Sequence, residues 1–213
     1  MSTTHDHLAE PDSTAELFVE FANTLEYDRG EPVDEVPEIE SLLAWLAAHD
    51  LLSSRARAAE AGKLRRNPRE AARRLSRFRH LREVLHGVAT EITEGGHPGR
   101  GRLRDLNHIL RHGLHYHQLR IGRDGSDYAV AQVGDRLDQA RATIAASLAH
   151  FLADDGAARL RVCANPGCRY VFVDHSPTGR RRWCDMRTCG NQAKVARHRA
   201  RARAGVPAQA ASD

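Results

Sequence analysis

The sequence predicts a mainly α protein: a helical N-terminal domain over residues 14–153 carrying one small β-hairpin, then a compact four-cysteine module over 160–205. Three observations carry that expectation. Apolar residues recur at helical spacing through most of the first 150 positions. Strand-like alternation in that stretch is confined to two short runs around an Asp-Gly pair. All four cysteines of the 213-residue chain lie between Cys163 and Cys189.

From Thr14 to Leu25, the residues Leu17, Phe18, Phe21, Ala22 and Leu25 form one helical stripe. Asp34 to Pro37 reads as a loop, and Glu38 to His49 as a second helix carrying Leu42, Leu43, Trp45 and Leu46. A third helix is expected over Ser54–Ala61, stopping near Gly62. Asn67-Pro68-Arg69-Glu70 is a start signal: an N-cap, a proline at the first helical position and a glutamate at the capping-box position. The helix it opens runs to about Thr93, burying Leu75, Phe78, Leu81, Val84 or Leu85, Val88 and Ile92, with Arg69, Arg73, Arg74, Arg77, Arg79 and Arg82 facing outward. The run Gly95–Gly101 reads as a hinge, and Arg102 to Arg111 as helix. His117–Ile121 and Tyr128–Val133 flank a turn at Arg123-Asp124-Gly125. Asp135 caps a helix over Arg136–Leu152, and Asp154–Ala158 reads as the inter-domain linker.

The longest unbroken apolar run, Leu42 to Ala48, is far short of the roughly 20 residues a membrane span needs. The first residues lack a basic and an apolar signal region, so a cytoplasmic location is expected. The net charge of +4 is unevenly spread: residues 1–50 carry −12, residues 51–120 carry +10 and residues 161–205 carry +9. A basic block at one end is what a polyanionic partner requires, whereas the acidic end reads as a solvated face or an intramolecular shield.

Cys163-Ala-Asn-Pro-Gly-Cys168 and Cys184-Asp-Met-Arg-Thr-Cys189 are two C-x4-C pairs separated by fifteen residues. In a reducing compartment, clustered cysteines point to metal rather than disulfides. Two thiolates from each short loop meet the demand of one tetrahedral Zn2+, with disulfides or free thiols as the alternative. Four sulfurs leave no open coordination position, so the zinc is expected to be structural. Its work is to fold some 45 residues that are too few for a self-sufficient core. Arg169–Asp174 alternates like a strand, Ser176–Gly179 makes a turn and Arg180–Trp183 returns. A knuckle, a hairpin and a second knuckle opening a helix resemble the treble-clef arrangement.

The helix expected after Cys189 contains no acid. At 100° per residue, Asn191, Lys194, Arg197, His198 and Arg201 fall within about a third of the circumference. Ala193, Ala196, Ala200 and Ala204 form a small-residue stripe beside them, which lets the backbone approach a groove closely. A merely soluble arginine-alanine tail is the bland alternative, but ordinary solvated helices mix signs.

These residues resemble a known family. Cys163–Cys168, Gly179-Arg-Arg-Arg-Trp-Cys184 and Cys189-Gly-Asn-Gln-Ala-Lys-Val are similar to the CGNR zinc finger. Glu20-Phe-Ala-Asn-Thr-Leu25 resembles the opening of the ABATE domain that precedes this finger in bacterial proteins. The likeness is strong over 161–203 and loose over 14–150. It implies a stress-induced transcription regulator whose finger binds DNA, with Cys163, Cys168, Cys184 and Cys189 as the ligands. Gln192 departs from the arginine of the family motif. If that arginine supports the finger's own fold, Gln192 must replace it by hydrogen bonding; if it contacts phosphate, one contact is lost. Tyr170 stands where a tryptophan is expected.

The expected function is therefore a DNA-binding transcription regulator. Arg180, Arg181, Arg182, Arg199 and Arg203 would hold phosphates, and Asn191, Lys194, Arg197 and Arg201 would face base edges. The helical domain would sense a small-molecule effector or form a homodimer. The rival readings are an RNA-binding or ribosome-associated zinc protein and a zinc-stabilised protein-interaction module. No phosphate-binding glycine loop or nucleophile elbow is present, so the chain is not expected to be an enzyme. His108, His112 and His115 share helical spacing but lack the ligand set of a second metal site.

Overall fold

The computed structural model describes residues 16–28, 30–121 and 128–203. Helix α1 (Leu17–Ala22) buries Leu17, Phe18, Phe21 and Ala22. Residues 14 and 15, the expected start of that helix, lie outside the described residues. The chain then makes a hairpin, β1 (Leu25–Asp28) and β2 (Glu31–Asp34), with Leu25 opposite Asp34. The sequence predicts no hairpin here, because the charged residues Glu26, Asp28, Glu31 and Asp34 mask any apolar alternation.

Helix α2 (Ile39–Ala48) buries Leu42, Leu43 and Leu46. Helix α3 (Ser54–Arg65) is capped by the Ser53 hydroxyl and does not stop at Gly62. Leu64, only 2% exposed, lies one further turn along, and its burial offsets the roughly 1 kcal/mol cost of a mid-helix glycine.

Helix α4 (Pro68–Gly95) is the spine, about 42 Å long. The Asn67 side chain accepts from the Glu70 N–H at 3.2 Å, whereas the Glu70 carboxylate pairs with Arg73 and Arg74 rather than closing a capping box. Phe21 packs edge-on against Trp45 of α2 and Phe78 of α4, with ring centroids 5.0 and 5.9 Å apart. One arginine of α4 does not face outward: Arg82 is buried, and its guanidinium holds both Asp34 carboxylate oxygens at 2.7 and 2.9 Å and the Thr24 hydroxyl at 3.1 Å. Arg74 and Arg77 reach Asp138 on the last helix of the bundle, so much of this basic row is satisfied within the molecule.

Helix α5 (Arg100–Arg111) begins inside the expected hinge, with Gly99 as its N-cap. Strands β3 (Tyr116–Ile121) and β4 (Tyr128–Val133) pair antiparallel, Leu119 opposite Val130; their expected turn lies outside the described residues. Asp135 caps α6 (Arg136–Ala153), whose Phe151 meets Phe18 at 5.2 Å. Among the described residues no helix is long and apolar enough to cross a membrane.

After α6 the chain turns through Asp155, in the left-handed region at φ 61°, into a single 3-10 turn, Gly156–Arg159. A Cβ on Gly156 would lie 2.4 Å from the Phe151 carbonyl oxygen, so only glycine lets the chain fold back so closely. Strand β5 (Leu160–Val162) follows directly and pairs with β6 (Val171–Val173), Leu160 opposite Val173. The partner of β6 thus precedes the first cysteine pair; it is not the expected return segment Arg180–Trp183. Leu160, Val171 and Val173 belong to the same apolar core as α1, α4 and α6. The cysteine module is therefore seated on the helical bundle rather than set apart on a linker.

Candidate functional site

The hairpin delivers the first knuckle. Past the β5–β6 ladder the Cys163 N–H bonds the Tyr170 carbonyl at 2.8 Å, and the turn closes on Asn165. The Asn165 carbonyl accepts from the Cys168 N–H at 2.9 Å, and its side-chain oxygen accepts from the Gly167 N–H at 3.1 Å. Arg169, at φ 56°, reverses the chain after Cys168. The second knuckle is anchored by Asp185, whose carboxylate accepts from the Arg187 and Thr188 N–H groups at 2.6 and 2.9 Å. These bonds open a wide helical turn, Met186–Gly190, that carries Cys189. Ala164 N–H to Arg182 C=O, at 2.8 Å, ties the two knuckles together.

The four sulfurs gather within 4.8 Å of one another. Cys168 and Cys184 stand 3.7 Å apart, and Cys184 and Cys189 stand 3.8 Å apart. A tetrahedron of sulfurs at a Zn–S distance near 2.3 Å has edges of about 3.8 Å, so the residues fit the ion. Cys163 and Cys189 are buried, and Tyr170, Phe172 and Trp183 pack around the cluster.

Electrostatics point the same way. Burial and the adjoining sulfurs push the Cys168 thiol up to about 11 and Cys184 further still. At Cys189 burial is outweighed by the Asn165 amide, which reaches its sulfur at 3.4 Å, and by the neighbouring thiols, leaving this group below the ordinary thiol value. Thiols packed this closely resist ionising together, and a dication at their centre removes that conflict. The four cysteines form one zinc site.

The return segment separates its arginines. Arg181 is turned into the finger: its guanidinium donates to the Cys184 carbonyl and stacks 5.1 Å from the Phe172 ring centroid, while its N–H bonds Asp174 at 2.8 Å. Asp174 is fully buried. Burial opposes its ionisation, but bonds from Ser176 and the Arg181 N–H hold its carboxyl at about 2. Arg180 and Arg182 are exposed, Arg182 lying 5.4 Å from the Trp183 ring centroid. A groove of about 580 Å³ runs beside them along the end of α4.

Helix α7 (Asn191–Arg203) leaves the second knuckle, and from Lys194 to Ala202 every residue is exposed. Lys194, Arg197, Arg199 and Arg201 form no ion pair with any described residue. The side chain of Arg203 lies outside the described set. Asn191 is exposed, and its amide turns back one helical turn to donate to the Arg187 carbonyl at 2.9 Å. Gln192 takes up the supporting role: its side-chain oxygen accepts from the Asn165 amide at 2.8 Å, the same amide that reaches Cys189. The sequence reading missed Arg187, an exposed cation at the root of α7 within the same acid-free run. Of the discounted histidines, His108 and His112 pack with ring centroids 4.4 Å apart. Among the described residues, only the cysteines gather as three or more metal-binding groups.

Comparison with known families agrees with this architecture. Residues 159–202 match the CGNR zinc finger, and residues 15–155 match ABATE, described as "Putative stress-induced transcription regulator". No curated protein matches the chain. With about two thirds of its length under the ABATE match and its four cysteines under the other, the chain belongs to the ABATE family and carries a CGNR zinc finger.

Proposed function

We propose that this regulator is a non-catalytic, cytoplasmic DNA-binding protein acting in a stress response, and that its zinc-held helix α7 docks on duplex DNA. One observation carries the reading: α7 stands in solvent with four cations that no described carboxylate neutralises. A 13-residue helix of arginine and alanine is marginal by itself in water, so it gains most from a polyanion laid against it.

Lys194, Arg197 and Arg201 share one face and are the candidates for the groove, whereas Arg180, Arg182, Arg187, Arg199 and Arg203 supply phosphate contacts. Arg181 and Asn191 serve the finger's own fold instead. Duplex DNA is favoured over RNA because Phe172 is buried and Tyr170 and Trp183 are half-buried around the sulfurs, which leaves no open stacking platform. The helical part would sense an effector or pair two chains.

Affinity of the zinc-loaded chain for a random-sequence duplex, measured against salt, should fall with a log–log slope of about −0.9 per phosphate neutralised. Replacing Arg197 or Arg201 by alanine should each reduce that slope by about one if the side chain meets phosphate, or relax a selected base preference by tenfold or more if it meets a base. A flat salt dependence overturns the reading.

A further inference from the structure

Apart from the finger and α7, a cleft lies where the first knuckle meets the helical bundle. It encloses about 370 Å³, the size of a small-molecule site. Ala22, Leu25 and Tyr27 line one part of it, and Arg102 and Arg169 line another, beside the acids Glu83 and Glu91.

Gly87, in the interior of α4, explains how Arg102 gets there. A Cβ at this position would lie 2.5 Å from the Arg102 guanidinium carbon, so that group lies against the bare helix backbone. Interior glycine is unfavourable in a 28-residue helix unless something needs the space, and here a cation occupies it. The Arg102 Nε donates to Glu91 at 3.0 Å, while its terminal nitrogens bond no described residue. Glu91 is already engaged by the Gly99 N–H at 2.8 Å.

Arg169 enters from the finger. His86 of α4 donates from Nε2 to the Arg169 carbonyl at 2.9 Å, fixing that backbone over the cleft. The Arg169 side chain is exposed and meets no carboxylate among the described residues. The other cations of the cleft are committed: Arg82 to Asp34 and Arg79 to the Pro37 carbonyl. Glu83, the remaining acid of the lining, is 75% exposed and leans towards His80.

The free terminal nitrogens of Arg102, whose Nε is paired with Glu91, and the unpaired Arg169 side chain lie beside an apolar wall and suit an anion with an apolar body. We propose that this cleft binds a small organic monocarboxylate, its carboxylate held by Arg102 and Arg169 and its body lying against Ala22, Leu25 and Tyr27. A charge-assisted guanidinium pair selects the carboxylate over a neutral amide, and the apolar wall selects it over an inorganic anion. Because Arg169 follows the zinc ligand Cys168, the site joins the helical domain to the knuckle.

The test is a titration of the full zinc-loaded chain with benzoate, benzamide and inorganic phosphate, followed by 1H–15N NMR. Benzoate should saturate with a Kd on the order of 1 mM and shift the amides of Gly87, Thr90 and Arg169. Benzamide and phosphate should each bind at least tenfold more weakly. Arg102→Gln and Arg169→Gln should each weaken benzoate by about tenfold at unchanged zinc content; if R169Q disturbs the knuckle, R102Q decides alone. Equal binding of benzamide or phosphate, benzoate affinity untouched by R102Q, or no saturation by about 20 mM benzoate would overturn the proposal.

Discussion

The side-chain amide of Asn23 closes both backbone hydrogen bonds of Val171, accepting from its N–H at 2.9 Å and donating to its C=O at 2.8 Å across 148 positions of sequence. One buried residue after α1 thereby completes the free edge of the finger's hairpin. Asn23→Ala orphans two buried backbone groups and should cost about 3 kcal/mol. Urea denaturation of the zinc-loaded chain, followed at Trp45 in the bundle and Trp183 in the knuckle, should then split into two transitions. A single unshifted transition would show that the contact holds nothing.

Arg82 and Asp34 form a second long-range clasp, and Arg82 holds the Asp34 carboxyl well below the usual carboxylate range, against the opposing effect of burial. Asp34→Ala strands a buried guanidinium and should destabilise by about 3 kcal/mol or more. Pairing it with Arg82→Leu removes the stranded charge and should recover much of that loss. Strict additivity of the two changes in a double-mutant cycle would refute the coupling.

Asn165 is a positioning residue for the metal centre, since its amide touches both the Cys189 sulfur and Gln192. Asn165→Ala should weaken zinc affinity about tenfold or more, as losses of an outer-shell partner do. Competition with a chromophoric chelator measures this. Complete chelation, or Cys184→Ser, should reduce the far-ultraviolet helical signal by no more than α7 contributes, because α1 to α6 supply most of the shared apolar core.

His86 sets a pH dependence. Burial, together with the nearby Arg169 and Arg102 charges, holds it below its ordinary 6.5, against the opposing bond to the Arg169 carbonyl. The unfolded chain therefore takes up the proton first, so stability rises with pH below 6.5 and is lost as pH falls through that window. The wild-type chain should lose more stability than His86→Gln between pH 7 and pH 5.5 in parallel thermal melts. Equal losses in the two proteins would count against the burial of this ring.

Both expected parts, the α4 start signal and the ligand set were legible in the sequence because each is local chemistry. Helical stripes repeat within a few turns, Asn67-Pro68 caps its own helix, and two C-x4-C loops carry their geometry in their spacing. The fate of individual polar side chains was not legible, since it depends on partners far along the chain. Nothing near Arg82 marks it as inward-facing; Asp34, 48 positions away, does so only once the chain is folded. Gln192 likewise acquires its role from Asn165, 27 positions away.

The amino-acid order alone determined the helical class, the four sulfur ligands and the uncompensated charge of the last helix, all properties of short stretches. Tertiary structure alone decided that β5 pairs with β6 and sinks Leu160 and Val171 into the bundle core. The physical reason is that a three-residue strand has no apolar face large enough to choose its neighbour. It takes the register and the side that bury most surface once α1, α4 and α6 are in place.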